Sequence, residues 1–365
     1  MNKFKKIGLT ALAGSLVAVS AQAGELTVTG GANATYKWGS AASGHNTTSK
    51  AIGVDKDVAF SGSGELDNGT TFTVFTATND SQTNLTSGSL SISTPSFGSF
   101  LLGHHSGAAH YKYDEEVPQV YEQVSDITST VTQNKVGDFM DNNHITYTSP
   151  TFDLGGASIT LDVGYTTQAT DQETGDGGTL TGNVYGSGQE AGVTIAYDAL
   201  KIGVYGATRE NNTPNNVAAT GGAADAVRDE FNGVWYAKYN FGPVSVGYSE
   251  FYVDAGVAQT AVVATSAAKT LRTSGGFTEG NQIGIAFNVN DNLSISYSES
   301  TETYDAQDNA STAIADVDQK IDASQLAYSM GGMSIKAYQM EVENPAFDED
   351  ADDAKVTEIA LGLAF

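Results

Sequence analysis

Hydrophobic and polar positions alternate along the last residues of the chain. Ile359, Leu361, Leu363 and Phe365 share one phase, and Glu358, Ala360, Gly362 and Ala364 share the other. Successive side chains of a strand point to opposite faces, so this is a strand with one apolar side. An apolar ladder ending on an aromatic ring is an unusual end for a soluble domain. It suits the last strand of a closed barrel in lipid, with the ring at the membrane interface.

The same period recurs from Glu25 onward. Leu26, Val28, Ala32, Ala34, Tyr36 and Trp38 alternate with Thr27, Thr29, Asn33, Thr35 and Lys37. In 52–66, Val58, Phe60 and Leu66 oppose Asp57, Ser61, Ser63 and Glu65. Further strands are predicted at 70–79, 89–94, 99–105, 143–149, 157–168, 190–198, 201–209, 231–241, 244–254, 282–289, 293–301, 320–330 and 333–341. Short turns join some of them: Asp67-Asn68-Gly69, Pro95 to Gly98, a turn near Pro150, Ala199-Leu200, Gly242-Pro243, Asn290-Asp291-Asn292 and Gly331-Gly332. Long polar gaps join the rest, and the longest is 106–142.

About sixteen strands result, with short turns and long loops in strict alternation. Antiparallel staves that span a membrane sort their connections in this way, and a soluble sandwich has no reason to. Both termini then lie with the short turns, on the periplasmic side. Lipid offers no hydrogen-bond partners, so the sheet must close. A closed sheet of that size encloses more space than side chains fill. The inward phase reads as polar or small, which predicts a wet lumen. The fold class is therefore all-β, an antiparallel transmembrane β-barrel.

The start of the chain agrees. Lys3, Lys5 and Lys6 precede an apolar stretch from Ile7 to Val19 and the small-x-small site Ala21-Gln22-Ala23. That stretch is shorter than the ~20 residues a spanning helix needs. Residues 1–23 read as a cleaved signal peptide, and 24–365 as the barrel domain.

Composition narrows the functions. The 41 Gly, 17 Tyr and 15 Phe suit many twisted strands, and only 6 Pro leave the ladders uninterrupted. With no Cys, disulfides and thiolate metal sites are excluded. The net charge is −26; without the three signal lysines, 14 basic residues face 43 acidic ones. Such a chain repels nucleic acid.

The ordered set of motifs resembles the Gram-negative general porins, particularly those of alphaproteobacteria: the Lys5-Lys6-Ile7-Gly8-Leu9 signal, the first strand at 24–39, the run from Asp57 to Leu66 before Asn68-Gly69, and the terminal Phe365. The resemblance covers the whole chain. It implies a homotrimer of 16-stranded barrels in the cell outer membrane, in contact with lipid and lipopolysaccharide, each with its long third loop folded into the lumen. It also implies a water-filled channel for passive diffusion of small hydrophilic solutes and ions. The third loop here is 106–142. Its acids Asp114, Glu115, Glu116, Glu122, Asp126, Asp138 and Asp141 are candidates for the constriction, with Lys37, Arg209, Lys238 and Lys336 on the facing wall. The loop acids outnumber these bases, which predicts a weak cation preference. The alternatives are a substrate-selective channel and a plugged structural or adhesin barrel.

Other signals are weaker. His104 and His105 are adjacent on a strand and so should face opposite ways, which argues against a shared metal site. The acids at 348–353, and Asp316 and Asp318, offer hard-cation attraction such as for Ca²⁺, without EF-hand spacing. No cofactor is predicted beyond that. There is no Gly-x-Ser-x-Gly, P-loop or His-Glu-x-x-His motif, so no enzyme is predicted. Trp38, Trp235, Tyr236, Tyr239 and Tyr248 read as an outward interface girdle.

Overall fold

The computed structural model describes residues 23–40, 48–78, 85–127, 133–141, 143–167, 185–211, 228–254, 256, 277–305 and 316–364. Residues 1–22 of the predicted signal and the terminal Phe365 lie outside the described residues.

Seventeen strand segments form one antiparallel sheet. They are β1 (Ala23–Ser40), β2 (Thr48–Glu65), β3 (Thr71–Thr78), β4 (Leu85–Thr94), β5 (Gly98–His104), β6 (His144–Thr148), β7 (Phe152–Leu154), β8 (Ala157–Thr166), β9 (Tyr185–Tyr197), β10 (Leu200–Asn211), β11 (Glu230–Phe241), β12 (Val244–Asp254), β13 (Phe277–Asn288), β14 (Leu293–Asp305), β15 (Val317–Met330), β16 (Met333–Glu343) and β17 (Ala354–Ala364). Both β6 and β7 pair with β8, end to end, so the barrel has sixteen staves. β17 pairs with β16 and with β1, from Gly31↔Ala364 to Ser40↔Lys355, which closes the sheet. The closed ring leaves no edge of unpaired backbone groups to lipid. The short turns share one end with the first and last described residues: Ala23 pairs with Gly64, and the Ala364 amide donates to the Gly332 carbonyl at 2.8 Å.

Alternation decides which residues meet lipid. Val204, Trp235, Ile283, Ile285, Ile295, Tyr297, Leu326, Ile359 and Leu361 are exposed on the outer face. Their sequence neighbours on the other phase point into the barrel.

Four expectations are corrected. The turn expected near Pro150 lies instead at Gly155 and Gly156, with φ of +62° and +95°. Proline has no amide hydrogen for the ladder, and Ser149 bridges the break it makes. The Ser149 amide donates to the Leu161 carbonyl and the Leu161 amide to Ser149 Oγ, at 2.8 and 2.9 Å. Tyr236 is no girdle residue: it points inward and is buried against Tyr113, while Trp235 and Tyr239 face out. His105 follows the end of β5 with φ +46°, and its ring meets that of His104 at 4.3 Å rather than facing away.

The fourth correction concerns the lumen, whose inward phase is not uniformly polar. Tyr205 and Ala207 of β10, Val234 and Tyr236 of β11, and Phe251 and Val253 of β12 point inward and are buried. So are Ile321 and Ala323 of β15 and Tyr338, Met340 and Val342 of β16. A bare apolar patch in an aqueous lumen would be costly, and here the patches are covered.

Candidate functional site

The cover is the segment between β5 and β6. Its described residues contain four short 3₁₀ turns, Ala109–Lys112, Val124–Ile127, Gln133–Lys135 and Asp138–Met140. Its apolar residues fall into two groups that match the two wall patches. Ala108, Ala109, Tyr113, Val136, Phe139 and Met140 pack on the β10–β12 patch. Val124, with Tyr121 beside it, packs on the β15–β17 patch. At ~25 cal/mol per Å² of apolar area removed from water, these contacts supply the main cohesion of the segment.

Glycines on the inner wall let the segment approach closely. A Cβ at Gly192 would meet the Tyr113 ring, one at Gly247 would meet Pro118 Cδ, and one at Gly284 would lie 2.5 Å from Val117 Cγ1 and 2.6 Å from the Pro118 carbonyl oxygen. Any side chain at these positions would push the segment off its seat.

Polar groups then pin it from stave to stave. Lys112 Nζ and Tyr113 Oη donate to the Asp162 carboxylate of β8 at 2.5 and 2.8 Å. The Ala109 amide donates to Glu190 Oε1 of β9 at 2.9 Å. Glu116 accepts from Lys201 of β10 at 2.7 Å and Lys238 of β11 at 2.5 Å. The Val120 amide donates to Ser296 Oγ of β14 at 3.1 Å, and the Tyr121 amide to Gln325 Oε1 of β15 at 2.8 Å. Tyr121 Oη donates to Glu358 Oε1 of β17 at 2.6 Å. On the return, Ser249 Oγ donates to Gln133 Oε1 at 2.7 Å. The segment thus follows the inward face from β8 round to β17. By contrast, Lys37, Asp55, Asp57, Ser61, Ser63, Thr73, Ser89 and Ser91, inward on β1–β4, stay exposed or half-exposed.

The predicted acids are placed unequally. Asp114 is buried at 3 % exposure; its carbonyl accepts from Gln123 and Gln133, and its Oδ1 has no hydrogen-bond partner among the described residues. Burial, reinforced by the charge of Glu115, pushes the Asp114 carboxyl up to about 8. Glu115 is exposed along the segment's free edge, and burial of its carboxyl with the nearby Asp126 and Glu122 raises it. For Glu116, burial acts upward, but hydrogen bonds from Lys201 and Lys238 prevail and hold it below the usual carboxylate range. Glu122 is half-exposed and raised by burial, Asp126 and Glu358, with Lys336 and Lys37 acting the other way. Asp126 is exposed, and Asp138 is exposed beside Lys135 at 3.2 Å. Asp141 accepts from Tyr111 Oη at 2.6 Å and lies 3.4 Å from His105.

The predicted bases divide in the same way. Lys37 lies 3.7 Å from Glu358 and 5.7 Å from the Tyr338 ring centre. Lys336 lies 5.2 Å from the Tyr121 ring centre. These two join Tyr121, Tyr338, Glu122 and Glu358 where the segment tip meets the β16–β1 wall. Lys238 is engaged by Glu116. Arg209 is held by Glu230 at 2.6 Å and stacked 3.5 Å from the Tyr185 ring centre, so it is occupied away from that tip. Lys201 and Lys112 are further lysines at the segment that the sequence reading missed. Among the described residues no three His, Asp or Glu side chains converge as metal ligands.

The sequence profile of a family described as Gram-negative porin matches residues 8–365. No curated protein sequence matches. Among solved structures, Salmonella typhi OmpF, in complex with daunomycin, is similar with a TM-score of 0.64 at 11 % identity, covering 94 % of this chain and 98 % of that one. Vibrio cholerae OmpT gives a TM-score of 0.62 at 11 % identity over 94 % and 98 %. An anion-selective porin from Comamonas acidovorans gives 0.60 at 14 % identity over 93 % and 99 %.

Proposed function

Because the chain belongs to the Gram-negative porin family, and is accordingly a non-enzymatic channel of the cell outer membrane, we propose that it passes small hydrophilic solutes and ions by diffusion with a preference for cations. The 106–142 segment is the constriction, and the passage runs between its free edge and the inner wall of β1–β5. The observation that carries the cation preference is the charge on both sides of that passage. The loop edge presents Glu115, Glu122 and Asp126, and the β2 wall presents Asp55 and Asp57, while Lys37 of β1 and Lys336 of β16 stand at the segment tip. Glu116 is shared by Lys201 and Lys238, so that cluster keeps one net positive charge, which is smaller than the acidic excess along the passage. Acidic lining attracts and passes cations. The fold alone does not decide the sign, since it is shared with a porin that is anion-selective.

A salt gradient across a planar bilayer tests this. The expected zero-current potential favours K⁺ over Cl⁻, and a potential favouring Cl⁻ overturns the reading. A complete absence of single-channel conductance would mean a plugged barrel instead.

The assembly proposed is a homotrimer, supported by the trimer form of the similar Vibrio cholerae OmpT. Lipopolysaccharide is the proposed lipid partner. Outward acids such as Glu299, Asp322 and Glu341, in one row across β14–β16, suit divalent-ion bridges to its phosphates. Heat stability in lipopolysaccharide that is unchanged by a chelator would count against that bridge.

A further inference from the structure

Towards the short-turn end of the lumen, β15, β16, β17, β1 and β2 enclose a recess of about 320 Å³. That is the lower end of the ~300–1,000 Å³ typical of small-molecule sites. The sheet register places Asp55, Asn33, Gly362 and Ser334 in one row across four staves. With neighbouring strands ~4.8 Å apart, the row spans roughly 14 Å of backbone. Asp57 lies one inward position from Asp55 towards the short turns, and Lys336 one inward position from Ser334 towards the loops, so the acidic and basic ends lie diagonally across the recess. Gly362 forms its floor. A Cβ there would lie 2.6 Å from Ser334 Oγ and 3.8 Å from Asn33 Oδ1, so glycine keeps the space between these polar groups open.

The chemistry of this lining is selective. No aromatic residue takes part, so there is no ring platform for a sugar. A simple cation would satisfy the carboxylates but face the Lys336 ammonium, and a simple anion would meet the reverse conflict. A molecule carrying both charges satisfies both ends at once. Lys336 also lies against the Tyr121 ring of the constriction, so a solute passing that ring meets its ammonium group.

We propose that this recess is a subsite for small zwitterions of the ω-amino-acid class, whose two charges are set apart by a chain, with the solute's ammonium group on Asp55 and Asp57 and its carboxylate on Lys336. Asn33 and Ser334 supply hydrogen bonds between the two ends. The subsite rests on the open-channel reading above, and it makes the passage of such solutes saturable.

The experiment uses the full-length channel, with conductance in KCl recorded first for each variant. A silent channel at that stage refutes the open-channel reading and is distinguished from failure of the subsite. Liposome swelling then measures the influx of glycine, 4-aminobutyrate and 6-aminohexanoate, with N-acetylglycinamide as the uncharged comparison. The expected result is saturable influx of at least one zwitterion and linear influx of the uncharged compound. Lys336→Gln and Asp57→Asn should each raise the half-saturating concentration about two- to fivefold, the size expected of one water-exposed ion pair. Linear influx of all three zwitterions overturns the proposal. So does an effect confined to one of the two variants, because the site needs both ends.

Discussion

Replacing Gly284 by alanine is a direct test of how the constriction is seated. Gly284 is an inward residue of β13, and a Cβ there would lie 2.5 Å from Val117 Cγ1 and 2.6 Å from the Pro118 carbonyl oxygen. Carbon atoms pack at ~3.5–4.0 Å, so the loop must retreat from the wall by about 1 Å. The wall itself cannot yield easily, because β13 is paired along its whole length with β12 and β14. Overpacking of this kind costs about 1–3 kcal/mol. The strand gains instead, since alanine is favoured over glycine within a strand by roughly 0.5–1 kcal/mol. The two effects fall on different parts of the molecule and can be measured apart. Heat denaturation of the barrel should change little. Single-channel conductance should fall, because the loop moves towards the lumen axis. Gly62→Ala is the control, since a Cβ there meets nothing within 4 Å. Unchanged conductance in Gly284→Ala, or an equal fall in Gly62→Ala, would refute the seating described above.

Two further substitutions probe the loop through pH, with opposite signs. Glu116→Gln removes the carboxylate that joins Lys201 and Lys238; after allowance for the partial exposure of both lysines, the loss is about 2 kcal/mol of loop seating. The Glu116 carboxyl is held below its usual range, so in the wild type this anchor is present at neutral pH and is lost as pH falls through the lowered value. Current noise from loop motion should therefore rise at acid pH in the wild type, and be high at every pH in the variant. For Asp114 the sign reverses. Its carboxyl is raised to about 8, so seating is strongest below the ordinary carboxylate range and weakens as pH rises towards 8. At 1.36 kcal/mol per unit the full span is on the order of 5 kcal/mol. Asp114→Asn should abolish this alkaline loosening, which current noise at pH 5, 7 and 9 would detect; noise that rises equally in the variant would contradict it.

Most staves were legible because they keep a period of two over about ten residues, and because turns such as Gly242-Pro243 and Gly331-Gly332 carry their own chemistry. Pro150 misled because a proline marks either a turn or a break within a stave, and the sequence does not distinguish them. The loop seat left a signal that alternation alone passes over. Phe251 and Val253 are apolar on the inward phase of β12, while Tyr252 occupies the outward one, so the strand is apolar on both faces. A strand of that kind must be covered on its inner side as well. The charge partners were not legible. Lys201 lies 85 positions from Glu116 in the chain, and which lysine a loop acid meets is set by the curvature of the closed wall.

The long reach of the Tyr121 contacts bears on how the protein is made. Tyr121 is bound by Gln325 and Glu358, which are 204 and 237 residues further along the chain. The ladder between β1 and β17 likewise joins opposite ends of the sequence. Contacts so distant in sequence form late, since the entropy of closing the intervening loop must be overcome first. The loop can settle on β8–β12 while the sheet is still open, but its tip has no seat until β17 has docked. During assembly the width of the opening is therefore the last property to be defined, and it is set in the same event that seals the wall.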